Sequence, residues 1–317
     1  MLRLRPVIFK DGNTMYDIIV IGGGPAGLTA ALYARRQNKS VLVLEKNSFG
    51  GQTVYSPKIE NYPGFKEMSG VEFSDKLVDQ VLDQGAELEM EQVIKVVDNG
   101  ATKTVVTEDN TFEAKSVIIA TGAKHRMLGL VGEEDYVGNG ISFCAVCDGA
   151  FYNGKEVAVI GGGNSALQEA LLLSQNCKKV NVIQNLAFLT GEQKLIDSIS
   201  AKDNVSVTLN TVVTAISGVD GALTGLVLKS TETGEETTIN VDGVFVAIGL
   251  VPDNDCVKDI IALDDRGYVP ADESTVTTVN GIFVAGDCRS KTIRQIATAI
   301  SDGATAALSA CKYCENI

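Results

Sequence analysis

"YDIIVIGGGPAGLTAALYARRQNKSVLVLEK", residues Tyr16–Lys46, is the stretch that decides the fold. A short β-branched run leads into three glycines, an apolar-periodic helix and a second apolar strand. The segment "KEVAVIGGGNSALQEALLLSQNCKKVNVIQN", residues Lys155–Asn185, repeats the pattern. One glycine signature is a weak signal, but here the whole βαβ context occurs twice. The sequence therefore predicts an α/β protein with two Rossmann-like nucleotide-binding domains.

The three glycines of the first copy have separate physical roles. Gly22 allows a tight turn, Gly24 lets the backbone approach a diphosphate, and Gly27 lets the helix pack on the strand. The diphosphate would then lie on the helix N-terminus, where unpaired N–H groups point outward. An acid about 20 residues further on is expected to bind ribose hydroxyls, and Glu45 lies at the end of the next strand.

The second copy departs from the first at this acid. Gly161, Gly163 and Ala166 repeat the turn, but the position that corresponds to the acid holds Gln184. From Gln184 to Gln193 the sequence contains no Arg, Lys or His. The same place in the two copies therefore carries a charge in one and none in the other.

Two further segments bracket the first turn. "KSVIIATGAK" is a strand that ends in Ala-Thr-Gly, and "VNGIFVAGDCRSKTIRQIATAISDGATAAL" is a strand that ends in Gly286-Asp287 before a long helix. Asp287 is well placed for a cofactor's polyol chain, although it could equally cap the helix. Because this segment lies at the far end of the chain, the first domain must be discontinuous. The predicted domains are 1–126 with 247–317, enclosing an inserted domain at 127–246.

Cys144 and Cys147, in "SFCAVCDGAFYNGK", form a C-x-x-C just before the second copy. This spacing suits a redox disulfide, in which one thiol attacks and its neighbour resolves the mixed disulfide. Asp148 follows directly, and the chain has a single histidine, so Asp148 is the candidate acid–base residue. A turn residue before a glycine is the alternative for Asp148.

Cys311 and Cys314, in "CKYCENI", form a second pair at the C-terminus. A zinc site would need both pairs, and a second redox relay is a further alternative. We expect neither: the pair is read as unpaired thiols on a frayed helix end, and no metal is predicted.

The bulk composition excludes several classes of protein. A chain of 317 residues with 45% apolar residues suggests a compact globular protein of two domains. The formal charge of −13 argues against nucleic-acid binding and against anionic membranes. No apolar run approaches the roughly 20 residues of a membrane span. The start, "MLRLRPVIFKDGNT", reads as a loose arm and a poor signal peptide, so a cytoplasmic location is expected.

The order of these motifs resembles the low-molecular-weight thioredoxin reductases, from Met15 onward: glycine turn, Ala-Thr-Gly, C-A-x-C-D-G, second glycine turn and "GIFVAGD". "GGQTVYSPKIENYPGF", residues Gly50–Phe65, also resembles that family's flavin-contacting loop. The resemblance implies a homodimer that reduces thioredoxin through Cys144 and Cys147. It makes Cys147 the thiol that faces the flavin and Cys144 the thiol that attacks thioredoxin. The resemblance also implies FAD as cofactor, bound by Gly22, Gly24, Pro25, Ala26, Gly27, Glu45, Lys46, Gly51, Gln52, Asn61, Thr121, Gly122, Gly286, Asp287, Arg294 and Gln295.

The charge-free stretch "QNLAFLTG" is where the chain departs from the NADPH-using members, which carry His-Arg-Arg and a further Arg here. Each charge-assisted bond to the 2′-phosphate is worth roughly 1.5–3 kcal/mol. Losing two would weaken binding by about a hundredfold to ten-thousandfold. An NADH enzyme would place an acid near Gln184, and none is present. The sequence is most similar to members from anaerobes that accept electrons from ferredoxin.

Ferredoxin is acidic, so docking would need basic groups near the flavin. Arg289, Lys291 and Arg294 are the candidates, with a solvated helix face as the alternative. Rival functions are an NAD(P)H-dependent disulfide reductase with an atypical cofactor site, and a dithiol oxidase, which the single histidine disfavours. A flavin scaffold whose disulfide never turns over is the non-enzymatic alternative.

Overall fold

The computed structural model describes residues 15–56, 58–219 and 221–317. The arm expected over residues 1–14 lies outside the described residues. The α-helices are α1 (Pro25–Arg36), α2 (Gly70–Asp83), α3 (Ala145–Asp148), α4 (Asn164–Leu173), α5 (Gln193–Ser200) and α6 (Ile296–Cys314). The strands are β1 (Met15–Ile21), β2 (Val41–Leu44), β3 (Glu87–Glu89), β4 (Val93–Asp98), β5 (Lys103–Thr107), β6 (Thr111–Ile119), β7 (Ala123–His125), β8 (Ile141–Ser142), β9 (Glu156–Ile160), β10 (Lys179–Ile183), β11 (Val205–Thr208), β12 (Thr211–Val219), β13 (Ala222–Ser230), β14 (Glu236–Asn240), β15 (Gly243–Val246), β16 (Leu250–Pro252) and β17 (Ile282–Val284). Across these described stretches, no helix is both long and apolar enough to cross a membrane.

The described residues divide into two compact units. The first contains 15–54, 68–124 and 252–317, and the second contains 55–67 and 125–251. The segment 55–67, which the sequence assigned to the first domain, groups with the second unit. Strands β7 and β16, which contain the later two boundaries, pair with each other.

The first unit is built on a sheet in which β3, β2, β1, β6 and β17 run parallel. Strand β5 pairs antiparallel with the first residues of β6, and β4 pairs antiparallel with β5. In a parallel sheet the strands end at the same edge, so the turns after β1, β2, β6 and β17 meet there. This edge carries the glycine turn, Glu45, Thr121 and Asp287.

Helices α1 and α6 pack closely on this sheet because small residues line their contact. A Cβ on Gly303 would lie 2.2 Å from the carbonyl oxygen of Ala26, so only glycine allows this approach. Ala30 and Ala306 are fully buried in the same core. The close crossing places the start of α1 against Gly303, in the middle of α6.

The second unit repeats the architecture. Its parallel sheet has the order β11-β10-β9-β15-β8, with α4 between β9 and β10, and β12 to β14 form a separate antiparallel sheet. The core is apolar and contains Val157, Val159, Leu167 and Phe245. The predicted α/β fold class with two Rossmann-like units is confirmed.

Candidate functional site

Three glycines shape the first turn, each in a different way. Gly22 has φ +108°, and a Cβ there would lie 2.2 Å from the carbonyl oxygen of Ala120. A Cβ on Gly27 would lie 1.9 Å from the oxygen of Gly22. A Cβ on Gly24 would meet only the Cα of Gly51, at 3.9 Å, so this side of the turn is open. No side chain caps the first turn of α1, which leaves its N–H groups directed at this opening.

Glu45 is fixed by the backbone on both of its oxygens. Oε2 accepts a hydrogen bond from the N–H of Gly23 at 2.7 Å, and Oε1 accepts one from Asn47 at 2.9 Å. The carboxylate therefore lies against the middle glycine of the turn, as a ribose-binding acid would. Its neighbour Lys46 is paired with Asp253.

Asn254 is a site residue that the sequence analysis missed. Thr121 donates its hydroxyl hydrogen to Oδ1 of Asn254 at 2.9 Å, and Nδ2 of Asn254 donates to the carbonyl oxygens of Gly267 and Cys288. Asn254 is 2% exposed, so its amide ties the loop after β6 to the segment after β17. The polar run "PDND" directly after a strand was the available signal.

Asp287 has one enclosed carboxylate oxygen without a hydrogen-bond donor among the described residues. Its Oδ1 makes no hydrogen bond to the described residues, and Lys291 Nζ lies 3.8 Å away. Burial raises the pKa of this carboxyl, while Lys291 and Arg294 oppose the shift. An unpaired buried acceptor is costly unless a bound group supplies a donor. A hydroxyl-rich chain placed here would do so.

The proposed basic docking patch is wrong for two of its three residues. Arg289 is 3% exposed and binds Asp302 through its guanidinium at 3.2 Å. Lys291 is also enclosed and lies 3.0 Å from the same carboxylate. Arg294 stacks over the ring of Tyr268 and donates to the carbonyl oxygen of Asp287. Arg289 and Lys291 neutralise an internal acid rather than facing solvent, whereas Arg294, which is half-buried, orders the segment before α6.

A cavity of about 290 Å³ lies beside the turn. Gly22, Glu45, Lys46 and Thr121 line it, with Gln92 and Asp253 among residues that the sequence did not indicate. Of the remaining predicted residues, Pro25, Ala26 and Gly27 open α1, Gly51 and Gln52 lie in a 3-10 turn, and Gly122 follows Thr121. Gly286 precedes Asp287, Gln295 caps α6, and Asn61 lies in the segment that groups with the second unit.

These features fit FAD by their chemistry. The open N-terminus of α1 suits a diphosphate, the fixed carboxylate of Glu45 suits a ribose diol, and the enclosed Oδ1 of Asp287 suits a ribityl hydroxyl. All three belong to the first unit and lie at one edge of one sheet. The donors and acceptors present therefore match those of a flavin dinucleotide.

In the second unit Cys144 and Cys147 form a disulfide across α3. The N–H of Cys147 donates to Sγ of Cys144 at 3.2 Å, and the N–H of Cys144 donates to the hydroxyl of Ser142. Ser142 in turn donates to Oδ2 of Asp148 at 2.6 Å. The disulfide and the candidate acid are thus joined through one serine. A pair bonded in this way is not a zinc ligand, and the described residues contain no cluster of His, Cys, Asp or Glu suited to a metal ion.

Two carboxyls lie behind this disulfide, and the sequence indicated only one. Burial raises the pKa of Asp148, although the Ser142 hydrogen bond lowers it. Burial also raises the pKa of Glu169, in α4, to about 8, and the charge of Asp148 adds to that shift. Glu169 is half-buried as a residue, but its Oε2 is completely enclosed. An acid within the apolar run "ALQEALLL" was the signal that could have identified it.

The second glycine turn has a similar backbone, but no charged side chain lies where one would bind the ribose or its 2′-phosphate. Gly161 has φ +131°, and a Cβ there would lie 2.5 Å from the oxygen of Ala247. Gln184, 5% exposed, turns into its own loop and donates to the carbonyl oxygen of Phe188. The exposed large hydrophobic side chains of that loop are Leu186 and Phe188, and the polar side chains of Asn185, Glu192 and Gln193 are exposed as well. From Gln184 to Gln193 the loop offers no cation, which a 2′-phosphate would require.

The remaining cysteines are buried and unpaired. Cys311 and Cys314 lie in the core against α1 rather than on a frayed helix end, and burial raises the pKa of each thiol to about 11. Cys177, Cys256 and Cys288 are packed within the two units. His125 stacks on Phe143 at 4.5 Å, and burial lowers its pKa to about 4. It is therefore a neutral packing residue at physiological pH.

Comparison with known proteins gives a consistent set of relatives. The pyridine nucleotide-disulphide oxidoreductase family model matches residues 16–303. The thioredoxin reductase of Listeria monocytogenes is 43% identical over 303 residues, 96% of this chain and 95% of that protein. The bifunctional thioredoxin reductase/thioredoxin of Mycobacterium leprae is 42% identical over 94% of this chain and 66% of that protein. The crystal structure of thioredoxin reductase from Streptococcus pyogenes matches with a TM-score of 0.91 and 42% identity, covering 96% of this chain and 100% of that one.

Proposed function

Since the chain belongs to the low-molecular-weight thioredoxin reductase family of pyridine nucleotide-disulphide oxidoreductases, we propose that it reduces thioredoxin with electrons from reduced ferredoxin. The chain is a flavoprotein disulfide oxidoreductase, with FAD as its cofactor. Bound FAD supplies the step between one-electron and two-electron chemistry, because it accepts electrons singly and delivers a pair to a disulfide. Glu45, Thr121 and Asp287 would hold it in the first unit.

The thiols exchange with thioredoxin in two balanced steps. The Cys144 thiolate attacks one sulfur of the thioredoxin disulfide, which forms a mixed disulfide and releases a thiolate that takes up a proton. Cys147 then loses its proton to Asp148, and its thiolate attacks Sγ of Cys144, which re-forms the Cys144–Cys147 disulfide. The second thioredoxin sulfur leaves as a thiolate and takes the proton from Asp148. Two electrons and two protons pass to thioredoxin. The N–H of Cys147 stabilises a thiolate on Cys144, which favours Cys144 as the attacking sulfur.

The observation that carries the choice of donor is the loop from Gln184 to Gln193. It contains no cation, its exposed large hydrophobic side chains are Leu186 and Phe188, and its one acid, Glu192, is also exposed. A 2′-phosphate brought to this surface would lose water and gain no charge-assisted bond. Gln184 is committed to its own loop, so it does not replace the acid that binds an unphosphorylated ribose. Both nicotinamide cofactors are therefore disfavoured.

Ferredoxin satisfies the energetics without a hydride donor. Ferredoxins of the plant type have potentials near −400 mV, and thioredoxin lies near −270 mV. A difference of about 130 mV for two electrons corresponds to about 6 kcal/mol in favour of thioredoxin reduction. One-electron delivery followed by two-electron disulfide reduction is the conversion for which a flavin is suited.

The test is anaerobic absorbance of the flavin band after mixing with reduced ferredoxin, NADPH or NADH. We expect bleaching by ferredoxin, and with thioredoxin present we expect continuous turnover. The C144S/C147S variant should still bleach but should not reduce thioredoxin, which separates flavin reduction from disulfide exchange. Rapid bleaching of the wild type by either nicotinamide at micromolar concentration, with none by ferredoxin, would sink the ferredoxin proposal and favour the atypical NAD(P)H enzyme.

A gain of function provides the matched control. N185R/L186R places two guanidinium groups on the loop after β10, where the NADPH-using members have theirs. We expect this variant to acquire NADPH-dependent bleaching, with an affinity about a hundredfold or more above the wild type. Unchanged behaviour towards NADPH would show that the missing charges are not what disfavours the cofactor.

The proposal also includes a cytoplasmic homodimer. Sedimentation of the FAD-loaded protein should give twice the chain mass of 33.5 kDa. A monomer that turns over thioredoxin at the full rate would contradict the dimer and leave the disulfide chemistry intact.

A further inference from the structure

Asp148 ends α3 and Glu169 lies in α4, two helices that pack against each other, and the charge of Asp148 acts on the Glu169 carboxyl. Each carboxyl has one oxygen that is completely enclosed and without a hydrogen-bond partner among the described residues: Oδ1 of Asp148 and Oε2 of Glu169. The other oxygen of Asp148 is bonded to Ser142, and the N–H of Ala145, the first residue of α3, donates to Glu169. Both acids are therefore attached to the short segment that carries the disulfide.

No cation compensates this pair. Within the described part of the chain, no ion pair or hydrogen bond joins a Lys, Arg or His to Asp148 or Glu169. Lys155 lies over the ring of Tyr152, and burial with the charges of Asp148 and Asp242 raises the pKa of that phenol to about 12. Tyr152 is therefore an uncharged phenol at neutral pH and offers no charge that could offset either carboxylate. The charges that face Glu169 are thus negative or absent.

Two enclosed carboxylates without a counter-ion cannot both remain ionised at neutral pH. Burial disfavours each charge, and the first ionised acid further disfavours the second. Such a pair titrates as a unit and retains one proton over a wide range of pH. Each carboxylate accepts one hydrogen bond that favours its charged form, Asp148 from Ser142 and Glu169 from Ala145. Burial raises the pKa of Glu169 to about 8 despite that bond, so the proton resides on Glu169.

We propose that Asp148 and Glu169 hold one shared proton behind the Cys144–Cys147 disulfide, and that Glu169 is a positioning residue whose protonation follows the redox state of that disulfide. Full reduction consumes two electrons and two protons and gives two thiols. When one thiol ionises, its thiolate adds a negative charge on α3, which strengthens proton binding at Glu169. Re-formation of the disulfide removes that charge and loosens the proton. The inference deepens the proposed function and rests on it only for the redox activity of the disulfide.

The closing experiment observes the proton directly. The FAD-loaded protein is labelled with glutamate carrying carbon-13 at the side-chain carboxyl, and its resonances are titrated with the disulfide oxidised and then reduced by dithiothreitol. We expect one carboxyl, absent from the E169Q spectrum, to titrate at about pH 8 in the oxidised protein and at higher pH in the reduced one. In D148N the same resonance should titrate at lower pH, because the neighbouring charge is gone.

The pH dependence of the redox equilibrium is a second measurement, and it would not change if Glu169 served only in packing. The Cys144–Cys147 couple is equilibrated with dithiothreitol at a series of pH values in wild type, E169Q and E169D. Above about pH 8 the wild-type equilibrium constant should diverge from that of E169Q by up to about tenfold per pH unit, the effect of one proton. E169D should restore part of the wild-type slope, and E235Q, an exposed glutamate of the same unit, should match the wild type throughout.

Two outcomes would overturn the inference. One is a set of glutamate carboxyls that all titrate below about pH 6, which is decided on the wild type even if E169Q does not fold. The other is an identical pH dependence of the redox equilibrium in wild type and E169Q. Neither measurement uses thioredoxin or ferredoxin, so failure of the proposed function would appear in the turnover assays and not here.

Discussion

The turn at Gly22–Gly27 and the turn at Gly161–Ala166 leave their strands in the same way. The first glycine of each has a positive φ, and its N–H bonds to the last residue of the neighbouring strand, Leu44 in one case and Ile183 in the other. In both units the carbonyl oxygen of the next glycine, Gly23 or Gly162, accepts a hydrogen bond from a backbone N–H in the loop that follows that strand. Shared backbone geometry therefore reflects the demands of a tight strand-to-helix turn and says little about the ligand.

The two turns differ in the side chain at the end of the neighbouring strand, Glu45 in the first and Gln184 in the second. Glu45 directs a carboxylate at the N–H of Gly23, whereas Gln184 turns away and bonds to Phe188 within its own loop. A position eight residues after the first glycine differs as well: α1 has Ala30, fully buried against α6, and α4 has Glu169 beside the disulfide segment. The side chains of the first copy therefore fit a cofactor, and those of the second place a carboxyl beside the disulfide segment.

The largest effect is expected from G27A. A Cβ on Gly27 would lie 1.9 Å from the oxygen of Gly22, a backbone contact that cannot yield. We expect at least a tenfold loss of FAD content in the purified protein, with a stability cost on the order of 1–3 kcal/mol or more. The matched change in the other copy, A166G, should leave FAD content unchanged and cost about 1–2 kcal/mol, because Ala166 is fully buried in a helix. Full flavin occupancy in G27A would show that the first turn does not need its third glycine.

The fold and the elements of the first site were predictable because each depends on local pattern. The two βαβ repeats, the return of the chain in "GIFVAGD" and the C-x-x-C are contiguous stretches whose geometry follows from glycine, alternation and spacing. Their convergence at one sheet edge follows from parallel strands. Glu45 and Asp287 could therefore be singled out without coordinates.

Residues whose role depends on enclosure were not predictable. Asn254 acts by bonding three separate segments, which the order of residues does not reveal. Arg289 and Lys291 looked like a surface patch because their partner Asp302 lies a helical segment away in sequence. Glu169 lies in an apolar-periodic helix, and the sequence did not single it out. In each case the deciding quantity is the burial of one polar atom, which only packing determines.

The intermediate effect is expected from E169Q on stability. Burial raises the pKa of Glu169 from 4.5 to about 8. A raised folded-state pKa means that the stabilising protonated form is complete below pH 4.5 and is lost as pH rises through about 8. Ionisation of this group costs the wild type up to about 5 kcal/mol, and E169Q avoids that cost. We expect E169Q and wild type to have equal Tm at about pH 4, and E169Q to melt roughly 5 °C or more higher at about pH 9. Scanning calorimetry of the oxidised protein with E235Q as control measures this, and parallel Tm curves would contradict it.

The smallest effect, and the most direct test of the comparison, is E45A against Q184A. E45A removes the carboxylate that accepts hydrogen bonds from the N–H groups of Gly23 and Asn47. Because solvent replaces part of these two bonds to a charged group, we expect their loss to cost roughly 1.5–3 kcal/mol in total. The dissociation constant of FAD should rise by roughly tenfold to a hundredfold, measured by flavin fluorescence on reconstitution of the apoprotein. Q184A removes only the bond to Phe188 and should leave FAD affinity unchanged. Because the two residues occupy the same place in the two repeats, equal effects would mean that the carboxylate of Glu45 supports the turn rather than the cofactor.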